Sequence, residues 1–137
     1  MESQVIYSSP NAIIWYYAEE KIVHHKIINR PSAQEMHTLL SFAVETIQAR
    51  GAQKWLSEDL PNMAYTKEKL EKGSLAWFPK AVEAGWKYWA IIKTKSVIGQ
   101  LNHELLMKKY GAMGIEARFF DNTSLAMDWL KSLPHKE

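Results

Sequence analysis

Residues 86 to 92 read Trp86-Lys87-Tyr88-Trp89-Ala90-Ile91-Ile92, a run that is apolar everywhere except at Lys87. A segment of this length, rich in aromatic and β-branched residues, reads as a strand. With both faces apolar, both must be covered, as expected of a central strand in an α/β sheet. Downstream, Ile98, Leu101 and Leu105 fall on one side of a predicted helix over Val97–Tyr110, which stops at Gly111-Ala112-Met113-Gly114. A strand over Ile115–Phe120 follows. Asp121-Asn122-Thr123 then supply capping residues for a last helix that carries Leu125, Trp129 and Leu133 and ends at Pro134.

Upstream of the same run, Gly85 closes a helical region over about Thr66–Glu83 that Gly73-Ser74 and Pro79 interrupt; Pro79 should kink or restart it. Before that lies the irregular stretch Glu58-Asp59-Leu60-Pro61-Asn62-Met63, preceded by a short strand, Gln53–Ser57, whose Trp55 and Leu56 point to opposite faces. Met36, Leu39, Leu40, Ala43 and Ile47 recur at helical spacing in a helix over Ser32–Arg50, with Ser32 as its cap and Gly51 as its end. The first thirty residues form a three-stranded meander, Val5–Tyr7, Ala12–Ala18 and Lys21–Ile28. Its second strand is apolar on both faces, with Ile13, Trp15 and Tyr17 on one and Ile14 and Tyr16 on the other.

The predicted order is therefore β-β-β-α-β-α-β-α-β-α over residues 1–137, a single α/β domain. Its mixed sheet is packed by about four helices, and the alternating part demands right-handed crossovers and parallel strands. The length of 137 residues suits one such domain. Apolar residues at 47% and charged residues at 23% exclude a disordered or low-complexity chain. A net charge of +2 gives a weak field, so no nucleic-acid partner is implied. The absence of cysteine excludes disulfides, thiolate nucleophiles and cysteine-ligated metals. No run approaches the length of a transmembrane segment and the N-terminus lacks a signal-peptide pattern, so a cytoplasmic location is the expectation.

Few residues point to chemistry. His24 and His25 are neighbours on a strand, hence on opposite faces, and cannot chelate one ion together; His25, between Val23 and Ile27, reads as a hydrogen-bonded core or rim histidine. His103-Glu104-Leu105-Leu106-Met107 begins like a zinc-protease helix but has Met where the second histidine must stand. Glu58-Asp59 is the carboxylate pair best placed for acid–base work, although exposed loop acids are common. An enzyme using Asp59 or His25 ranks last among the readings, since no second catalytic group can be placed beside either from the sequence alone. No catalytic residue, metal or cofactor is assigned. Six Trp, six Tyr and four Phe carry more information: they either fill the core or line an apolar pocket near the carboxyl ends of the parallel strands.

Three segments, Lys54-Trp55-Leu56-Ser57-x-Asp59-x-x-Asn62-Met63, Trp77-Phe78-Pro79-Lys80-Ala81 and Ala84-Gly85-Trp86-Lys87-Tyr88-Trp89-Ala90, resemble a group of small bacterial SpoIIAA-like, or STAS-type, domains. That fold is shared with anti-sigma-factor antagonists and related to the lipid-carrying CRAL-TRIO fold. The resemblance implies a regulatory module. In the antagonists a serine within an Asp-Ser-x-Gly-like signature is phosphorylated; Ser57 stands at about that place, but Glu58-Asp59-Leu60 follow it, and two acids would repel a phosphate.

The expectation is thus a non-catalytic regulatory or scaffold module that binds another protein through the Glu58–Met63 loop and the start of the following helix. The alternative is a carrier or sensor of a small apolar ligand or lipid, held by Trp55, Trp77 and Trp86. The candidate ligand- or partner-binding residues are Ser57, Asp59, Asn62, Trp55, Trp77 and Trp86. A homodimer is a further expectation, because Trp15, Tyr16 and Tyr17 lie on strands near a sheet edge.

Overall fold

The computed structural model describes residues 2–59, 77–93, 104, 108 and 111–134. Six strands, β1 (Gln4–Ser8), β2 (Ala12–Tyr17), β3 (Ile22–Ile27), β4 (Lys54–Glu58), β5 (Tyr88–Ile92) and β6 (Glu116–Phe120), form one mixed sheet in sequential order. The first three pair antiparallel as a meander, and β3 through β6 run parallel. Three helices are described: α1 (Ala33–Arg50), α2 (Trp77–Ala84) and α3 (Thr123–Ser132). The expected helix over Val97–Tyr110 lies outside the described residues apart from Glu104 and Lys108, both helical.

Sequential parallel strands joined by right-handed crossovers place the crossing helices on one face. In accord with this, α1 and α2 pack against each other over a core that includes Ile14, Val23, Leu40, Ile47, Trp55, Trp89 and Ala81. The last helix is not a crossover and takes the other face, where Ala126, Met127 and Leu130 of α3 meet Ile22, Leu56, Tyr88 and Ala90. The helix ends follow the sequence. The Ser32 side chain accepts from the Glu35 amide, Gly51 adopts the left-handed φ of 67° and returns its amide to the Ile47 carbonyl, and Asn122 caps α3 through the Leu125 amide. Pro79 falls in the first described turn of α2, where a proline is tolerated, and the part of the expected helical region before Trp77, with Gly73-Ser74, lies outside the described residues.

Two strand expectations are corrected. The Trp86–Ile92 run enters the sheet only at Tyr88, because the Trp86 amide still bonds the Ala81 carbonyl and the Lys87 and Tyr88 amides share the Gln53 carbonyl. Its strand is flanked by β4 and β6, one position in from the edge, and the middle of the sheet is β3–β4. The requirement that it be covered on both faces holds, since Tyr88, Trp89, Ala90 and Ile91 are all buried. In β2, Tyr16 faces the core while Trp15 and Tyr17 are half-buried on the opposite side. The edge strand β1 carries a bulge at Ile6, between the Val5–Trp15 and Tyr7–Ile14 pairs, a device that discourages edge pairing. None of the helices among the described residues is long and apolar enough to cross a membrane.

Candidate functional site

Parallel pairing of β3 with β4 sets His24 opposite Leu56 and His25 opposite Ser57. Because side chains alternate, Glu58 and Asp59 then stand two positions further on, each on the same face as one of the histidines. Both consecutive histidines are thereby paired with both consecutive acids at the carboxyl ends of the strands, one pair per face.

On the α3 face, His24 Nε2 lies 2.5 Å from Glu58 Oε2 and His24 Nδ1 lies 3.0 Å from the Tyr17 hydroxyl. Glu58 Oε1 accepts from the hydroxyl of Thr123, the first residue of α3, at 2.6 Å. The His24 ring is tilted against Trp15 and near parallel to Tyr17, with centroids at 4.7 and 6.0 Å. Burial pushes the Glu58 carboxyl up, yet the hydrogen bonds from His24 and Thr123 and the attraction of His24 and Lys26 outweigh it and hold the group below the usual carboxylate value. The ionised carboxylate therefore accepts a hydrogen bond from the Nε2–H of His24. Burial, followed by the negative charges of Glu58 and Glu20, pushes the Tyr17 phenol up, so Tyr17 remains a neutral hydroxyl.

On the α1 face, His25 Nε2 lies 2.9 Å from Asp59 Oδ1, and the Trp55 indole donates to His25 Nδ1 at 2.9 Å. Both His25 and Asp59 have buried side chains. The indole can only donate, so Nδ1 accepts and the single proton of the neutral ring stands on Nε2, toward Asp59. Trp55 packs on Trp86 with centroids 5.0 Å apart, and Trp86 on Trp89 at 5.5 Å. The Trp86 indole donates to the Tyr88 carbonyl and the Trp89 indole to Ser57 Oγ at 2.7 Å.

The predicted site residues therefore divide. Trp55, Ser57, Asp59 and Trp86 come together on one face of the β4 end, with Ser57 only 2% exposed. Asn62 lies outside the described residues, and Trp77 opens α2 with a side chain that is not among them. The opposite-face reading of the histidines and the hydrogen-bonded core reading of His25 both hold. The sequence reading missed His24 and Thr123 as partners of Glu58, and Tyr17 as the partner of His24. The signal for His24 lay in matching His24-His25 with Glu58-Asp59, two doublets that pair once the strands are set in parallel. Among the described residues no group of three or more His, Asp or Glu side chains could hold a metal ion. No protein-family model, curated protein or solved structure matches this chain.

Proposed function

We propose that this protein is a non-catalytic regulatory or scaffold module that docks another protein through the segment leaving β4, in keeping with its likeness to STAS-type domains. The observation that carries this reading is the two-sided clamp on the end of β4. Glu58 is bonded on one face by His24 and Thr123, and Asp59 on the other by His25. A loop launched from a rigid, internally bonded frame keeps one exit direction, which lowers the ordering cost of binding.

The same geometry weighs against the apolar-carrier reading as regards Trp55 and Trp86, because these two indoles pack on each other and bond within the protein. It also supplies what an enzyme reading of His25 and Asp59 lacked, a second group in contact. That pair, however, is buried and satisfied by its own neighbours, an arrangement suited to holding a strand end.

The test is affinity capture from the native cell with the intact protein and with a chain in which residues 60–63 are replaced by Gly and Ser, leaving the clamp residues in place. A partner held by the native chain and lost from the replacement supports the reading. A partner retained equally by both overturns it.

A further inference from the structure

The two adjacent histidines differ in what a second proton would do to them. The Nδ1 atom of His24 meets the Tyr17 hydroxyl, which can donate to it or accept from it, so a proton there leaves every bond of the ring in place after the hydroxyl turns. The Nδ1 atom of His25 meets the Trp55 indole N–H, which only donates. Protonation of His25 at Nδ1 and the Trp55 hydrogen bond are therefore mutually exclusive. The gain that sets against the broken bond is a full ion pair with Asp59, whose side chain is buried beside the ring.

Among the described residues, the elements packed against His25 bring the following titratable and charged groups toward it. On β2 the residue opposite is Ile14, and the ionisable side chain nearby on that face is Tyr16. On β4 the same face carries Trp55, Ser57 and Asp59. On α1 the charged or titratable groups are Glu35, engaged by Tyr7, Ser9 and Asn11, the exposed His37 and Glu45, and Arg50, which lies over the Tyr16 ring. Lys80 and Glu83 of α2 are exposed.

From this geometry we infer that His25 is a proton-operated latch: a proton on its Nδ1 expels the Trp55 indole N–H, loosens the Trp55–Trp86–Trp89 cluster and shifts the end of β4, while His24 keeps its hold on Glu58. The inference concerns the strand end itself and stands whether or not the following loop binds a partner.

The experiment is a nitrogen-15 NMR titration of the intact protein from about pH 8 to about pH 5, the range in which imidazoles usually change charge. It follows the imidazole nitrogens of His25 and the indole N–H of Trp55, Trp86 and Trp89. The expected result is that the Trp55 indole resonance shifts or loses intensity in step with protonation of His25 Nδ1, with smaller changes at Trp86 and Trp89. His25→Asn, which can offer a non-titrating acceptor to the indole, should remove that pH dependence, and His24→Asn should keep it. If His25→Asn does not fold, the native chain with assigned resonances decides alone. A Trp55 resonance that stays fixed across the range overturns the latch, whether His25 takes no proton or takes one without disturbing the indole.

Discussion

The ammonium of Lys54, at the start of β4 and with no solvent exposure, donates to the carbonyl of Leu133 at 2.7 Å across 79 positions of sequence. A buried cation thus closes the C-terminal end of α3, where unsatisfied helix carbonyls favour positive charge. Burial pushes the Lys54 amine down from its usual value, against an opposing pull from Glu20. One Glu20 oxygen, Oε2, is itself buried without a hydrogen-bond partner.

Replacing Lys54 by Met should therefore weaken the protein, because it leaves the Leu133 carbonyl without this donor and Glu20 without its nearby positive charge. A loss of about 1–3 kcal/mol in urea unfolding is expected, with faster amide exchange at the end of α3. The pH dependence has a definite sign. In the alkaline window between the lowered folded value and the ordinary lysine value, the unfolded chain binds more protons. The native protein should then gain stability as pH rises there, and Lys54→Met should lack that gain.

Glu58 makes the opposite prediction at the acid end. Its folded carboxyl is held below the unfolded value, so its contribution is fully present above the ordinary glutamate value of about 4.5 and is lost as pH falls through the folded value. Thr123→Val, which removes one of the bonds holding the carboxylate, should cost about 1 kcal/mol near neutral pH. It should also move the acid loss of stability to higher pH. Glu58→Gln should remove that component. Urea unfolding across about pH 3 to 7 measures all three chains, and identical acid profiles for native and Glu58→Gln proteins would rule out this role for Glu58.

How much of this was legible in the sequence depends on how local the determining physics is. The caps at Ser32, Gly51 and Asn122 and the alternation of the meander are decided within a few residues, and they stand where the pattern put them. The faces of His24 and His25 follow from strand alternation alone. Their carboxylate partners, 34 positions away, depend on the parallel register of β3 and β4, which no local pattern encodes. Trp86 reads as strand from the sequence because its apolar character fits either state. Its amide is claimed by the end of α2, a contact that the composition of the run cannot signal.

Glu35 ties the β1–β2 hairpin to the first turn of α1. Its carboxylate accepts from the hydroxyls of Tyr7 and Ser9 and from the Asn11 side-chain amide, and these three bonds, that of Ser9 foremost, hold it below the usual value. Glu35→Ala should speed amide exchange in Gln4–Ser8 while leaving β4 and β5 unchanged. Glu35→Gln should have a smaller effect, since the two hydroxyls can turn to accept from its amide. Below the folded value of Glu35 the native chain should approach the exchange rates of Glu35→Ala. Equal rates in β1 for native and Glu35→Ala proteins at neutral pH would show that the hairpin is held by the sheet alone.

The last prediction concerns Ser57, whose Oγ accepts from the Trp89 indole at 2.7 Å with both residues 2% exposed. Ser57→Ala removes that acceptor and should cost about 1 kcal/mol. Trp89→Phe should cost more, because it also withdraws part of a ring packed against Trp86. If the two side chains act through their mutual bond, the double variant should be less unstable than the sum of the singles by about 1 kcal/mol, measured by urea unfolding. Additive losses would mean that the indole proton and the hydroxyl each satisfy themselves elsewhere. The same bond bears on modification, because a kinase can reach Ser57 Oγ only after the end of β4 parts from Trp89. Phosphate incorporation at Ser57 should therefore be slow in the native chain and faster in Trp89→Phe, with Ser57→Ala as the blank.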